Sequence, residues 1–295
     1  MGASGVAEPG GAGAASPAGL RRVRVAGEEL LVVAGDGGLR PVGATLAELL
    51  GAGLESLSEA VERAQARPPL AESAELLPPV DRQEVWACGV TYERSVKARM
   101  EETVVADVYD LVYRAERPEL FLKAPAYRVP PPGAPLRIRG DSTWDVPEPE
   151  LALVLTAAGE IAGYLVADDV SSRSIEGANP LYLPQAKLFD DCVGLSETIV
   201  LAGDVDPRAA RIALAIRRDG DVIFDGATTT AAIVRSFEEL AGYLFRELSH
   251  PHGAVLLTGT GLVPPDDLTL EHGDEVEIEI DGVGSLRHAV YRSGA

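Results

Sequence analysis

Apolar and polar positions alternate in short runs along most of this chain, and only a few stretches keep the three-to-four spacing of a helix. RRVRVAGEELLVVAGDGGLRPVG (residues 21–43) is predicted to form two or three short strands joined by glycine turns, and ATLAELLGAGLESLSEAVERAQAR (44–67) is predicted to be helical. The proline-rich ARPPLAESAELLPPV (66–80) closes that unit. From Glu84 onward, short β-type runs are separated by Gly, Pro and Asp turns, with helical breaks at about 94–115, 173–180 and 232–248. The pattern is that of an α+β protein, with a disordered tail over 1–19, a small N-terminal α+β domain over 20–80 and a β-rich domain over 84–292. Its β-rich part contains no internal repeat.

Composition narrows the function classes. The chain is 46% apolar and 24% charged, as in an ordinary globular protein, and no apolar run approaches the roughly 20 residues of a membrane-spanning helix. A net charge of -20 argues against polyanionic partners such as nucleic acid or anionic membrane, while a small anionic substrate remains compatible if a bound cation supplies positive charge. Cys88 and Cys192 have no metal-ligand spacing and read as reduced thiols, and the N-terminus lacks the apolar region of a signal peptide. Both point to a cytoplasmic protein. Of the 26 basic residues, all but Lys97, Lys123 and Lys187 are arginines. An amine can serve as a titratable base or nucleophile where a guanidinium cannot, so each lysine is a candidate for chemistry.

The segment WDVPEPELALVLTAAGEIAGYLVADDVSSR (144–173) is the most informative. Strand formers run from Glu150 to Thr156 and from Ile161 to Ala167, and Ala157-Ala158-Gly159-Glu160 between them is suited to a hairpin turn. Folding about Ala158-Gly159 sets Glu148 opposite Asp169 and Glu150 opposite Ala167. Alternate residues of a strand share a face, so Glu148, Glu150 and Asp169 converge, with Leu151, Leu153 and Leu155 on the other side. Like charges so close repel unless a cation lies between them. An all-oxygen set favours Mg²⁺ or Mn²⁺, with Ca²⁺ third and zinc disfavoured. A solvated acidic edge is the alternative, and a one-residue bulge would substitute Asp168 for Asp169.

Over roughly residues 85–291 the chain resembles the fumarylacetoacetate hydrolase family, because WACGVTY, PELFLKAP, the E-x-E pair, GYLVADDVSSR, TGTG and GDEVEIEIDGVGSL occur in that family's order. The resemblance implies a mixed β-roll catalytic domain, a homo-oligomer, either dimer or tetramer, and a metal held by Glu148, Glu150 and Asp169. The chain departs from the hydrolytic members at the water-activating dyad, where a histidine and a glutamate are expected after the Tyr; Tyr92 is followed by Ser95 and Ala98 at those spacings.

The longer strings VTYERSVKARMEE, DVSSRSIEGANPLYLPQAK and TGTGLVPPDDLTLEHGDEVEIEI are similar to the branch that removes water from 2-keto-3-deoxy-D-arabinonate to give 2,5-dioxopentanoate. By that resemblance Lys187 is the candidate base, Glu119 the candidate acid for the leaving hydroxyl, and Arg94, Glu176 and Thr260 the candidate substrate contacts. Lys123 reads as a structural or supporting lysine. Competing readings for Lys187 and Glu119 are charge neutralisation of the substrate and an ion pair with Arg117 or Lys123. The alternative functions are a C–C bond hydrolase or decarboxylase of a β-dicarbonyl acid, and a catalytically dead binding protein.

Overall fold

In the computed structural model, which describes residues 18–92, 115–292 and 294, the N-terminal alternation becomes an antiparallel meander. Strands β1 (Gly19–Val25) and β2 (Glu28–Gly35) meet at a tight turn in which Ala26 and Gly27 both take positive φ, 49° and 88°, the conformation that matches strand twist. Strands β3 (Gly38–Pro41) and β4 (Glu75–Leu76) complete this four-stranded sheet. The predicted single helix is two: α1 (Leu46–Ala52) and α2 (Leu54–Gln65) are separated at Gly53, whose φ of 96° a helix cannot contain. Thr45 caps α1 reciprocally with Glu48. The buried Leu46, Leu49 and Leu50 of α1 and Leu57, Ala60, Val61 and Ala64 of α2 recur at helical spacing and form one apolar stripe.

That stripe packs on the central sheet. It is built from β5 (Glu84–Gly89), β6 (Glu119–Ala124), β9 (Pro149–Leu155), β10 (Ile161–Asp169), β12 (Val193–Leu195), β13 (Val200–Leu201) and β16 (Ala254–Leu257), with β5 and β16 parallel and every other pair antiparallel. One face, carrying Val85, Ala152, Val154, Leu165 and Leu257, shares a core with α1 and α2. The other, carrying Leu151, Leu153, Leu155, Tyr164 and Val166, packs on the five-stranded sheet of β7 (Leu136–Ile138), β14 (Arg211–Arg218), β15 (Asp221–Thr229), β17 (Glu275–Ile280) and β18 (Gly284–Arg292). Both faces of β9 are therefore dry along its length, and the carboxylate face opens into a polar site only at the end where Glu148 precedes the strand. Short β8 (Asp145–Val146) and β11 (Ser171–Ser172) pair beside that end, followed by α3 (Arg173–Ala178) and α4 (Leu183–Lys187); α5 (Phe237–Leu244) lies further along the chain.

The β9–β10 hairpin reaches the expected register by an unexpected route. Its turn closes one residue tighter than folding about Ala158-Gly159 requires: Thr156 N–H donates to Glu160 O at 2.9 Å, and Leu155 pairs with Ile161. An unbroken ladder from there would set Glu148 opposite Asp168. Ala162 is instead an extra residue on β10, so that Gly163 pairs with Val154, Ala167 with Glu150, and Asp169 N–H donates to Glu148 O at 3.0 Å. A bulge is present, and it delivers Asp169 to the cluster.

Gly163, the residue after the bulge, has no room for a side chain: an added Cβ would meet Val200 O at 2.5 Å. Gly163→Ala is expected to lower unfolding stability by about 1–3 kcal/mol in a urea titration, the range of overpacked sites. A change below a few tenths of a kcal/mol would show that β13 does not hold β10 this closely.

Candidate metal centre

Glu148, Glu150 and Asp169 are all buried, and each offers one carboxylate oxygen, the three lying within 4.8 Å of one another. Their positions are over-determined by backbone contacts. Glu148 is tied to β10 from both sides, its carbonyl accepting from Asp169 N–H and its N–H donating to Asp168 Oδ1 at 2.9 Å. Asp168 points to the opposite face of the sheet, where His288 Nε2 lies 2.8 Å from its Oδ2. Glu150 is held by the TGTG segment: Gly259 N–H donates to Glu150 Oε2 at 2.6 Å, and Thr258 docks on the Leu151 carbonyl. Gly259 has φ +91°, and a Cβ there would lie 2.0 Å from Thr91 Oγ1. Only glycine brings that amide so close.

Among the described residues, three cationic side chains surround the carboxylates. Lys187, the last residue of α4, places Nζ 2.8 Å from Glu148 Oε2, 3.0 Å from Asp169 Oδ2 and 2.6 Å from Ser171 Oγ. Arg173, the first residue of α3, sets Nη2 3.0 Å from Glu148 Oε1. Lys123 sits 2.6 Å from Asp169 Oδ1 while donating to the carbonyls of Val170 and Lys187. Even so, burial drives the Glu150 carboxyl well above its ordinary value of 4.5, and the neighbouring Asp169 and Glu148 push the same way; Lys187 and the Gly259 amide only partly offset them. Buried, converging, all-oxygen donors whose charges oppose one another fit a hard divalent cation such as Mg²⁺.

A narrow cleft opens beside this cluster and is lined by Glu119, Glu148, Glu176, Lys187 and Thr260 together with Arg173. Larger hollows near Gly282 and near Arg82 contain none of these groups. Glu119 pairs with Gly89 across β5 and β6, and its carboxylate lies over that glycine, where a Cβ would be 1.9 Å from Oε2. Its expected ion-pair partners are placed elsewhere: Lys123 is at Asp169, and the Arg117 guanidinium is 5.6 Å from the Tyr243 ring centroid. Thr260 Oγ1 accepts from Leu262 N–H, making the turn anticipated for TGTG while still facing the cleft. Arg94, Lys97, the helical reading of 94–115 and most of the tail lie outside the described residues.

The pattern along the chain did not point to Arg173, Ser171, Gly259 or the Asp168–His288 pair. Arg173 and Ser171 stand in the polar run just after Asp169, which is the signal available in the sequence.

Comparison with known proteins gives the family and its relatives. The family model described as Fumarylacetoacetate (FAA) hydrolase C-terminal matches residues 84–291. A probable 2-keto-3-deoxyxylonate dehydratase of Haloferax volcanii is 52% identical over 213 residues, covering 72% of this chain and 73% of that protein. The 2-dehydro-3-deoxy-D-arabinonate dehydratase of Saccharolobus solfataricus is 42% identical over 213 residues, covering 70% and 72%. A solved structure of 2-keto-3-deoxy-D-arabinonate dehydratase complexed with magnesium and 2,5-dioxopentanoate superposes with a TM-score of 0.79 at 32% identity, covering 92% of this chain and 98% of that one.

The raised Glu150 carboxyl carries a pH dependence. A folded-state value above the unfolded one means that the folded chain keeps a proton which the unfolded chain has already lost; the stability this supplies is complete below the ordinary value and is lost as pH rises through the folded one. With EDTA present, the melting temperature is expected to fall as pH rises above the ordinary glutamate range, and saturating Mg²⁺ is expected to flatten or reverse that slope by replacing the proton. Identical slopes with and without Mg²⁺ would contradict the assignment.

Proposed function

Because the chain belongs to the fumarylacetoacetate hydrolase family and aims a buried amine at a carboxylate triad, we propose that it is a magnesium-dependent dehydratase of a 2-keto-3-deoxy sugar acid, such as 2-keto-3-deoxy-D-arabinonate, forming 2,5-dioxopentanoate. The single observation that carries the reading is the joining of the Glu148, Glu150 and Asp169 cluster with Lys187 and Glu119 in one cleft, in a chain 52% and 42% identical to two dehydratases acting on such acids. Residues 84–292 carry this chemistry, with 20–80 as a covering domain.

In this reading Glu148, Glu150 and Asp169 hold Mg²⁺, with Mn²⁺ or Ca²⁺ as substitutes. The bound ion supplies Lewis acidity to the 2-keto group, which acidifies the C3 protons. Lys187 Nζ, at the inner end of the cleft, takes a C3 proton as base. Glu119, at the cleft wall, gives a proton to the C4 hydroxyl, so the C3–H and C4–O bonds break and one water leaves. Transfer of a proton from C5 to C3 then moves the new double bond to C4–C5, and the resulting enol loses its hydroxyl proton and gains one at C4 to give the aldehyde. Arg173 supplies positive charge that draws an anionic acid into a chain of net charge -20. Glu176 and Thr260, with Arg94, contact the sugar-acid chain.

The buried, unpaired Cys88 and Cys192 support a cytoplasmic setting, and no helix among the described residues is long and apolar enough to cross a membrane. Membership of the family supports a homodimer or homotetramer, which light scattering would reveal as a mass at least twice 31.0 kDa.

The test is incubation with Mg²⁺ and 2-keto-3-deoxy-D-arabinonate: an aldehyde product is expected, whereas pyruvate or carbon dioxide from a β-dicarbonyl acid would mark a hydrolase or decarboxylase instead. Glu148→Gln is expected to abolish Mg²⁺ binding and turnover together. Lys187→Met is expected to keep Mg²⁺ binding and to lower kcat by at least about 10²-fold. Full activity of Glu148→Gln after chelation would overturn the metal assignment.

A further inference from the structure

Lys123 is fully buried on β6 and does not line the cleft. Its ammonium donates to Lys187 O at 2.6 Å and Val170 O at 2.9 Å and lies 2.6 Å from Asp169 Oδ1. Asp169 Oδ2 is turned to the other side, 3.0 Å from Lys187 Nζ. The Phe189 ring, with its centroid 5.4 Å from the Lys123 nitrogen, closes the remaining direction. One buried nitrogen therefore grips a carboxylate of the metal cluster and the backbone of the candidate base.

The residue type agrees with that task. In a chain that otherwise uses arginine for almost every positive charge, this position keeps a lysine. An ammonium presents its N–H groups tetrahedrally and fits between two carbonyls and a carboxylate, whereas a planar guanidinium projects five donors and needs more space.

We propose that Lys123 is a positioning residue of the dehydration, an inference that rests on the reading above: its ion pair with Asp169 fixes the orientation of that carboxylate, and by holding the Lys187 carbonyl it sets the point from which that side chain reaches the cluster. Its removal differs in sign from removal of a ligand. Deleting a positive charge beside a metal-binding carboxylate relieves repulsion of the ion, so metal binding is retained or strengthened. The lost alignment appears in the chemical step, where a misplacement of about 1 Å costs on the order of 10²-fold.

The test is Lys123→Met in the full chain, followed by Mg²⁺ calorimetry, kinetics on 2-keto-3-deoxy-D-arabinonate and electron paramagnetic resonance of bound Mn²⁺. The expected result is an Mg²⁺ dissociation constant no higher than that of the unmodified protein, kcat lower by on the order of 10²-fold with KM within about threefold, and an altered Mn²⁺ spectrum. A kcat within about threefold of the unmodified protein, or parallel loss of Mg²⁺ affinity and kcat, would overturn the proposal. If the unmodified protein dehydrates no keto acid, the reaction reading fails by itself; the Lys123 inference is then decided by the Mn²⁺ spectrum, an unchanged one refuting it. Should Lys123→Met not fold, ¹⁵N-lysine NMR of the unmodified protein replaces it. A Lys123 ammonium signal protected from exchange and shifted by Mg²⁺ supports the proposal, and a missing or unmoved one refutes it.

Discussion

Antiparallel backbone pairing brings together side chains that would otherwise stay apart. The Asp169 amide bonds the Glu148 carbonyl, and two residues along β9 the Glu150 side chain emerges on the same face. All three carboxylates are buried, so none of them is solvated by bulk water. Their mutual repulsion is built into the hairpin, and the surrounding architecture answers it. Lys123 and Lys187 approach from β6 and α4, Arg173 approaches from α3, and a glycine amide approaches from the TGTG segment. Such a cluster costs several kcal/mol of desolvation per unpaired charge, so it persists only where counter-charges and a cation offset that cost.

This constraint explains why glycines fall where they do. Gly259 admits a backbone amide to Glu150, Gly89 admits the Glu119 carboxylate to the cleft wall, and Gly163 lets β13 close on the bulged strand. The N-terminal unit contributes no residue to the cluster among the described residues. Its two helices seal the same sheet face that carries the carboxylates further along, keeping water from the inner ends of β9 and β10. A low-dielectric surround strengthens every charge interaction in the cleft, which is what polarising a ketone by a bound ion requires.

Much of this was legible in the amino-acid pattern. Alternation along β9 and β10, with a Gly turn between them, was enough to pair Glu148 with Asp169, although the hairpin attains that pairing through a tighter turn and an extra Ala162 that compensate one another. Alternation reports which face a residue occupies and is silent about where a ladder slips. The break at Gly53 is not legible for a related reason, since a glycine inside a helical stripe costs only about 1 kcal/mol and does not announce where the helix stops. Lys187, Glu119, Glu176 and Thr260, named through family likeness, line one cleft. Lys123 and Arg173 owe their importance to contacts between segments distant in sequence, which no local periodicity encodes. The rarity of lysine was the one hint that Lys123 had been kept for a reason.

The proposed chemistry requires a cation bound at one place by an oxygen from each of Glu148, Glu150 and Asp169. Anomalous diffraction from a crystal soaked in Mn²⁺ addresses that most directly, because the ion's position is read without reference to activity. One strong peak per chain is expected, bonded to a carboxylate oxygen from each of Glu148, Glu150 and Asp169. An absent peak at saturating Mn²⁺, or a peak elsewhere with those carboxylates paired only to Lys123, Lys187 and Arg173, would contradict it.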